Sequence, residues 1–255
     1  MIPREFFTQP PLECARALVG CELVWGACRG TVVECEAYAA SGDPACHTFT
    51  RPSAREFVAR HRAGTAYVYL NYGMHWMLNV LTKGEEEGFV LIRAIEPRHG
   101  LRAMQKRRGE KMGRELTGGP GRLAAALGVT GAHHGADFCA SAKRCFVRGE
   151  KVEVVADGRI GISRAQDLAW RFSWRDNPFV SVPVKKNKPR TCVRDLVRKG
   201  SPSVSLLAVA GGNRSRFRFA GASAEAERSS RDGDDGDNFN DGHSGFTSFY
   251  AFLQK

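Results

Sequence analysis

Hydrophobic and polar residues alternate in several short segments of the chain, a pattern that predicts β-strands with two different faces. In residues 33–38 the alternation places Glu34, Glu36 and Tyr38 on one face and apolar or small residues on the other. The apolar face can pack against a core. The polar face indicates either exposure to solvent or a chemical task, because burying two carboxylates and a phenol without partners is costly.

A second alternating segment, residues 66–70, places Tyr67 and Tyr69 on one face of a predicted strand. The strand ends at residues 71–74, Asn-Tyr-Gly-Met, whose composition predicts a turn. Tyr72 would then stand at the tip of a hairpin, where a large ring buries little of its surface. An acidic strand face, several flat rings and an aromatic residue at a tip indicate a site for a flat ligand such as a nucleobase.

The remaining pattern predicts a chain that mixes helices and strands. Helices are predicted over residues 11–18, 100–114 and 122–127. Strands are predicted over residues 75–81, 89–95, 149–161 and 179–184 and, as a hairpin, over 21–38, whereas 38–64 is predicted to be rich in loops. After about residue 189 the composition shifts to Ser, Gly, Asp and Arg, which is typical of disorder. We therefore predict one mixed α+β domain over residues 1–190 and a disordered tail over residues 191–255.

Positive charge belongs to the predicted domain rather than to the tail. Of the formal net charge of +11, residues 1–190 carry +10, with 29 Lys and Arg against 19 Asp and Glu. The charge is densest over residues 98–122, where eight basic residues face two acidic ones. Such a segment indicates either a surface for a polyanion or an ordinary solvated helix face.

Several functional classes are disfavoured by the sequence. No apolar run reaches the roughly 20 residues needed to span a bilayer, and the N-terminus lacks the pattern of a secretory signal. The eight cysteines have neither Cys-x-x-Cys spacing nor the spacing of a zinc site. We therefore expect an intracellular protein with reduced thiols, no metal and no membrane association.

Five short motifs, in order, carry a resemblance to a known family. They are Glu-Cys-Glu-Ala-Tyr at 34–38, Tyr-Val-Tyr at 67–69 with Tyr-Gly-Met at 72–74, Asn79, Leu-Ile-Arg-Ala-Ile-Glu-Pro at 91–97, and Pro-Phe-Val-Ser-Val at 178–182. Over residues 3–183 the chain resembles the alkyladenine (3-methyladenine) DNA glycosylase family. The resemblance implies a curved, largely antiparallel β-sheet with surrounding helices. It also implies hydrolytic excision of alkylated or deaminated purines from double-stranded DNA, without a cofactor.

A carboxylate that orients and deprotonates water and stabilises positive charge on the sugar is needed for this chemistry. Both Glu34 and Glu36 are candidates, and nothing in their spacing separates them. The resemblance implies Glu36, because the catalytic Glu of the family immediately precedes Ala-Tyr. No Lys stands beside this acid, so we expect a monofunctional glycosylase that forms no Schiff base.

Aromatic residues would bind the extruded base and fill the gap that it leaves. The resemblance implies that Tyr38, His47 and Tyr69 form the walls against which the base stacks, and that Tyr72 is the residue that intercalates into DNA. An electron-poor alkylated purine is expected to stack especially well on such rings through a cation–π interaction. Tyr67 is expected to belong to the core.

Two polar residues complete the predicted site. The resemblance implies that Asn79 lies at the floor of the pocket and excludes guanine by a clash with its exocyclic amine. Arg93 lies in a strand between apolar neighbours, so it requires an acidic or phosphate partner. The resemblance implies that Arg93 itself is a catalytic residue that lies close to the catalytic centre and the DNA backbone.

Two other functions compete with this interpretation. One is a nucleic-acid-binding module without catalytic activity, and the other is a metal-dependent hydrolase that uses Glu34, Glu36, His47 and a cysteine. For the glycosylase, the expected partner is double-stranded DNA containing damaged purines, and the chain is expected to act as a monomer. Its expected compartment is the bacterial cytoplasm or nucleoid, or the nucleus of a eukaryote.

Overall fold

A computed structural model describes residues 1–184 of the chain. The end of the predicted domain at residue 190 and the predicted tail over residues 191–255 lie outside the described residues. The helices are α1 (Pro11–Leu18), α2 (His47–Thr50), α3 (Pro52–Arg60), α4 (Leu101–Arg108), α5 (Arg114–Thr117) and α6 (Pro120–Leu127), with 3₁₀ turns at Arg4–Thr8 and Gly131–His133. The strands are β1 (Glu22–Trp25), β2 (Cys28–Ala39), β3 (Ala66–Asn71), β4 (His75–Lys83), β5 (Glu87–His99), β6 (Arg144–Val147), β7 (Val154–Asp157) and β8 (Arg171–Trp174).

The strands form one curled antiparallel sheet, which confirms the predicted fold class. Along its main path the order is β3-β4-β5-β2-β1-β6. The long strand β2 pairs with β5 on one side, and with β1 and then β8 on the other. Strand β7 continues the sheet from β8. Strand β2 therefore lies inside the sheet. Its second half, which includes Glu34 and Glu36, is flanked by β5 on one side and β8 on the other.

A bulge in β2 changes which residues share a face. The pairing of β2 with β5 shifts register between Val32 and Glu34 and again between Glu34 and Cys35, and a bulge of this kind bends the strand and re-aims its side chains. Val32 and Cys35 consequently join the main core, whereas Val33 packs in a separate small cluster. The prediction that Val33 shares the face of Cys35 was therefore wrong.

Helices α1 and α6 pack against the sheet around the main core. The apolar sides of these helices are buried at Cys14, Leu18, Leu123 and Leu127, which lie at the spacing of one helix face. A second, smaller cluster lies under α3 and joins Phe57 to the rings of β3 and β5. This second cluster is the one that borders the candidate site described below.

Several predicted boundaries were wrong for local reasons. The helix predicted over residues 100–114 ends at Arg108, because Gly109 adopts the left-handed conformation that terminates helices. The segment 38–64 contains α2 and α3 instead of loops alone. Within residues 149–161 only Val154–Asp157 is a strand, and residues 179–184 form turns instead of a strand. In the part of the chain that the structure describes, no helix is long and apolar enough to cross a membrane.

Candidate active site

A cavity of about 500 Å³ opens beside the ends of β2 to β5. Its walls come from these strands, from residues 44–47 before and at the start of α2, and from the loop 160–164. Of the residues that the sequence pointed to, six line the cavity: Tyr38, His47, Tyr69, Tyr72, Asn79 and Arg93. The seventh, Glu36, is not part of this lining but accepts hydrogen bonds from three of its members.

Glu36 is fully buried and held by three donors. Its Oε2 accepts hydrogen bonds from the Tyr38 hydroxyl at 2.8 Å and from Arg93 Nη1 at 3.1 Å. Its Oε1 accepts one from the Ile160 backbone N–H at 2.7 Å. Exposure to solvent, the simplest explanation of the sequence pattern, is thereby excluded for this carboxylate.

Glu34 is equally buried and also accepts hydrogen bonds from three donors. Its Oε1 accepts from Arg93 Nε and from Arg171 Nη1, both at 3.1 Å, and its Oε2 accepts from the Ser181 backbone N–H at 2.7 Å. Glu34 does not line the cavity. Neither carboxylate lines the cavity itself, but they differ in their partners: Glu36 bonds Tyr38 and the Ile160 N–H of the lining, whereas Glu34 bonds Arg171 and the Ser181 N–H, which do not line it.

Arg93 bridges the two carboxylates from the neighbouring strand β5. The prediction that it requires an acidic partner is satisfied twice, by Glu34 and by Glu36. Burial lowers the pKa of the guanidinium, but the carboxylates of Glu36 and Glu34 outweigh burial and hold the pKa above its ordinary value. Arg93 therefore supplies a fixed positive charge at the inner end of the cavity.

The rings of His47, Tyr67 and Tyr69 pack closely against one another. The ring centroids of His47 and Tyr69 are 4.2 Å apart, and His47 Nδ1 lies 3.1 Å from the Tyr67 hydroxyl. Tyr67 is buried between Phe57 and Phe89, as expected of a core residue, but its hydroxyl end also lines the cavity. Tyr67 is thus a core residue, as expected, and in addition lines the cavity.

Burial sets the ionisation of these rings. It lowers the pKa of His47 to about 4, with a further contribution from the positive charge of Arg51. It raises the pKa of Tyr69 to about 12 and, with the Glu36 carboxylate, raises the pKa of Tyr38 well above its ordinary value. At neutral pH the walls therefore consist of an uncharged imidazole and protonated phenols.

Asn79 lines the cavity from strand β4. In the antiparallel register it stands opposite Tyr67 on β3 and Leu91 on β5. Its Nδ2 donates a hydrogen bond to the Tyr67 carbonyl at 3.0 Å. This bond holds the amide group through its nitrogen.

Tyr72 occupies the tip of the β3–β4 hairpin, as the sequence predicts. It is 81% exposed, and its neighbour Met74 is 70% exposed. The backbone of Tyr72 is left-handed, with φ at 49°, a conformation that costs about 1 kcal/mol or more for a non-glycine residue. The tip thus presents large apolar side chains to solvent on a strained turn.

The basic segment 98–122 reaches the mouth of the cavity. The Gly119 N–H donates to the Arg93 carbonyl at 3.0 Å, and Pro120, the first residue of α6, lines the cavity. Most basic side chains of the segment are exposed, including Arg102 on α4 and Arg122 on α6. The positive surface and the cavity therefore adjoin each other.

Sequence reasoning missed three residues that support the site. Arg171 on β8 bonds Glu34 and Asp157, and Arg159 forms a buried ion pair with Asp43. Arg171 lies between Trp170 and Phe172, so the criterion that indicated a partner for Arg93 would also have indicated one for it. For Arg159 and Asp43, 116 residues apart, the sequence carries no comparable signal.

The residues assigned to a metal-dependent hydrolase do not form a ligand set. Within residues 1–184, no three His, Cys, Asp or Glu side chains are grouped so that they could hold a metal ion. Glu34 and Glu36 are instead engaged by guanidinium and backbone N–H groups.

Comparison with known proteins identifies relatives over most of the described chain. Residues 5–178 match the family model of methylpurine-DNA glycosylase. A protein of Rhodopseudomonas palustris (strain ATCC BAA-98 / CGA009) is 44% identical over 184 residues, which cover 72% of this chain and 89% of that protein. A protein of Granulibacter bethesdensis is 43% identical, covering 71% and 87%, and one of Salinibacter ruber is 42% identical, covering 71% and 96%. All three bear the name "Putative 3-methyladenine DNA glycosylase".

Proposed function

The chain belongs to the methylpurine-DNA glycosylase family and is a DNA glycosylase, and from that premise we propose that it excises alkylated or deaminated purines. In this proposal the damaged nucleotide is flipped out of duplex DNA and the bond between its base and sugar is hydrolysed. The substrates are the class of 3-methyladenine, 7-methylguanine, hypoxanthine and ethenoadenine. The observation that carries the proposal is the buried Glu36, which lies directly behind an aromatic cavity and is bonded to its wall.

Flipping requires a surface that holds DNA and a group that replaces the extruded nucleotide. The exposed basic segment supplies the first, because it attracts phosphates independently of sequence. Tyr72 supplies the second: its exposed ring enters the stack and compensates for unstacking, which costs a few kcal/mol. Both features adjoin the cavity mouth, so binding and flipping occur on one face.

The extruded base stacks between Tyr38 on one side and His47 and Tyr69 on the other. A cavity of about 500 Å³ accommodates a purine, and stacking on aromatic rings tolerates different bases. The Asn79 oxygen at the floor rejects the exocyclic amine of guanine, as the family resemblance implies.

Glu36 activates the attacking water. Among the residues that the structure describes, only the Ile160 N–H donates to its Oε1, so this oxygen retains a lone pair that can hold water. The carboxylate takes a proton from the water, the water oxygen bonds to the anomeric carbon, and the electron pair of the broken glycosidic bond leaves with the base. During this step Arg93 fixes the orientation of the carboxylate.

The reaction stops at base release, and the chain acts as a monomer. Among the described residues that line the cavity there is no Lys that could attack the sugar.

The proposal is tested with duplexes that carry hypoxanthine, 7-methylguanine or ethenoadenine at one position. Incubation with the protein in excess EDTA, followed by alkaline cleavage, is expected to reveal abasic sites at the lesion only. Strand breaks before alkali treatment would contradict monofunctional action. Tight lesion binding without base release would instead support a binding module.

A further inference from the structure

We infer that guanidinium groups behind both aromatic walls, Arg159 behind Tyr38 and Arg51 behind Tyr69, bias the cavity toward uncharged purines over positively charged ones. The inference rests on the proposed function, because it takes these rings to be the walls that contact the base. Neither Arg159 nor Arg51 lines the cavity itself.

Arg159 is held over one face of the Tyr38 ring and, because it does not line the cavity, we assign it to the face turned away from the base. Its guanidinium carbon lies 4.7 Å from the centroid of Tyr38 and 4.9 Å from that of Trp170, so the group is held between two rings. It also bonds both oxygens of Asp43, at 2.5 and 2.9 Å, and the Ala37 carbonyl at 3.0 Å. The side chains of Arg159 and Asp43 are both fully buried, so this arrangement is a permanent part of the wall.

A cation on one face of a ring reduces what the other face can offer a second cation. The attraction of an aromatic face for positive charge arises from the negative potential above the ring. Arg159 already uses that potential on the outer face and polarises the electrons toward itself. The effect reaches Tyr38, since the charge of Arg159 acts to lower the pKa of its hydroxyl against burial and Glu36, which raise it.

Tyr69, on the opposite wall, also has a guanidinium group over its ring, but at a greater distance. The guanidinium carbon of Arg51 lies 5.7 Å from the centroid of Tyr69. Arg51 is exposed, so water and salt screen its charge more than that of Arg159. Its charge nevertheless helps burial to keep His47 uncharged at neutral pH. A positively charged base stacked at the same place meets the same unfavourable environment.

The lining of the cavity supplies no compensating negative charge. Among its described residues are two further guanidinium groups, Arg93 and Arg164, and neither Asp nor Glu. The nearby carboxylate of Glu36 is paired with Arg93, and Arg159 is likewise paired with Asp43, so the effect of Arg159 rests on the position of its guanidinium directly over the Tyr38 ring. The inference is therefore opposite to the expectation that an electron-deficient alkylated purine gains especially from the rings: it predicts that uncharged lesions gain more.

Two probes that differ only in charge test the inference. Duplexes carrying 7-methylguanine, which is cationic, or its uncharged isostere 7-methyl-7-deazaguanine have the same shape and the same exocyclic amine. Their dissociation constants are measured with the Glu36→Gln protein, in which no base is released. The ratio of the two constants reports charge preference and is insensitive to a general loss of fold or of DNA affinity.

Three changes are made in that background. Arg51→Gln removes the exposed cation. Arg159→Gln combined with Asp43→Asn removes the buried cation and its partner together, and Arg159→Lys keeps the charge. Arg55→Gln is the matched control, because Arg55 is an exposed arginine of α3 that bonds the Thr48 carbonyl and is not stacked on a ring of the cavity.

The parent protein is expected to bind the uncharged probe more tightly. The double change is expected to shift the ratio toward the cationic probe on the order of tenfold, and Arg51→Gln by about twofold to threefold. Arg159→Lys and Arg55→Gln are expected to leave the ratio nearly unchanged. An unchanged ratio in both the double variant and Arg51→Gln overturns the inference. If the double variant fails to fold, an unchanged ratio in Arg51→Gln overturns it alone.

Failure of the inference and failure of the proposed function are distinguishable. If the wild-type protein releases hypoxanthine but the ratio does not shift, the function stands and the inference is wrong. If no base is released from any lesion but the ratio shifts as expected, the charge preference stands and the catalytic proposal is wrong. Binding of both probes no tighter than undamaged duplex rejects both.

Discussion

The buried charges behind the cavity and the tip of the β3–β4 hairpin are opposite solutions to holding a functional residue. Glu36 is fully buried and held by three donors from three segments of the chain. Tyr72 is 81% exposed and lies on a strained turn. The position of Glu36 depends on several hydrogen-bonding partners, whereas the exposed ring of Tyr72 has few contacts. Changes in the first region therefore affect activity and stability together, whereas removal of the Tyr72 ring at the tip affects activity without lowering stability.

The largest effect is expected from Glu36→Gln. Base excision should be abolished because the amide cannot accept the proton of water, while lesion binding stays within about tenfold. Single-turnover excision of hypoxanthine and equilibrium binding to the same duplex measure the two quantities. Residual excision near the wild-type rate would place the base on another residue, with Glu34 the first to examine.

Tyr72→Ala should slow excision strongly without lowering the melting temperature. Flipping loses its compensation for unstacking, a few kcal/mol, and the loss should be greater for a well-paired lesion than for one opposite a gap. The matched control is Met74→Ala at the same tip, which should have a smaller effect. A sharp fall in melting temperature, or equal slowing on both duplexes, would assign Tyr72 to the core or pocket.

Glu34→Gln should have the opposite effect to Tyr72→Ala: it should lower the stability of the fold more than the rate of base excision. The change leaves Arg93 and Arg171 without one buried carboxylate charge and should cost about 1–3 kcal/mol, or roughly 2–12 °C in melting temperature for a domain of this size. Glu96→Gln, a partly exposed carboxylate at the end of β5, is the control. A variant as stable as wild type but inactive would show that Glu34 takes part in the reaction.

The smallest effect concerns the dependence of stability on pH. Native His47 takes up a proton only near pH 4, whereas an unfolded histidine does so near 6.5. Between these values the unfolded state holds more protons, so the contribution of His47 to stability is present above about pH 6.5 and decreases as pH falls toward 4. Melting temperatures of His47→Gln should therefore fall less than those of wild type over this range. The exposed His99→Gln is the control, and parallel curves for all three proteins would contradict the assignment.

The sequence predicted the parts of this molecule that depend on local pattern. Alternation placed Glu36 and Tyr38 on one strand, and the Asn-Tyr-Gly-Met turn placed Tyr72 at a tip. An arginine among apolar neighbours correctly required acidic partners for Arg93. These features are determined within a few residues along the chain, so a single sequence suffices to find them.

The sequence did not predict features that arise from distant pairing. The bulge that separates Val33 from Cys35 follows from the register of β2 against β5, and Arg159 meets Asp43 116 residues away. Residues 179–184 were predicted to be a strand, but the N–H of Ser181 bonds the buried Glu34 carboxylate instead of a neighbouring strand. In each case a tertiary contact overrode the local preference.

The left-handed backbone of Tyr72 has a consequence for engineering this enzyme. Glycine adopts that conformation freely, so Tyr72→Gly would relieve the strain of the turn while deleting the exposed ring. A selection for heat resistance alone would therefore enrich this substitution and return proteins that survive heating but fail to repair. Directed evolution of this scaffold needs base release scored in the same round as thermal tolerance.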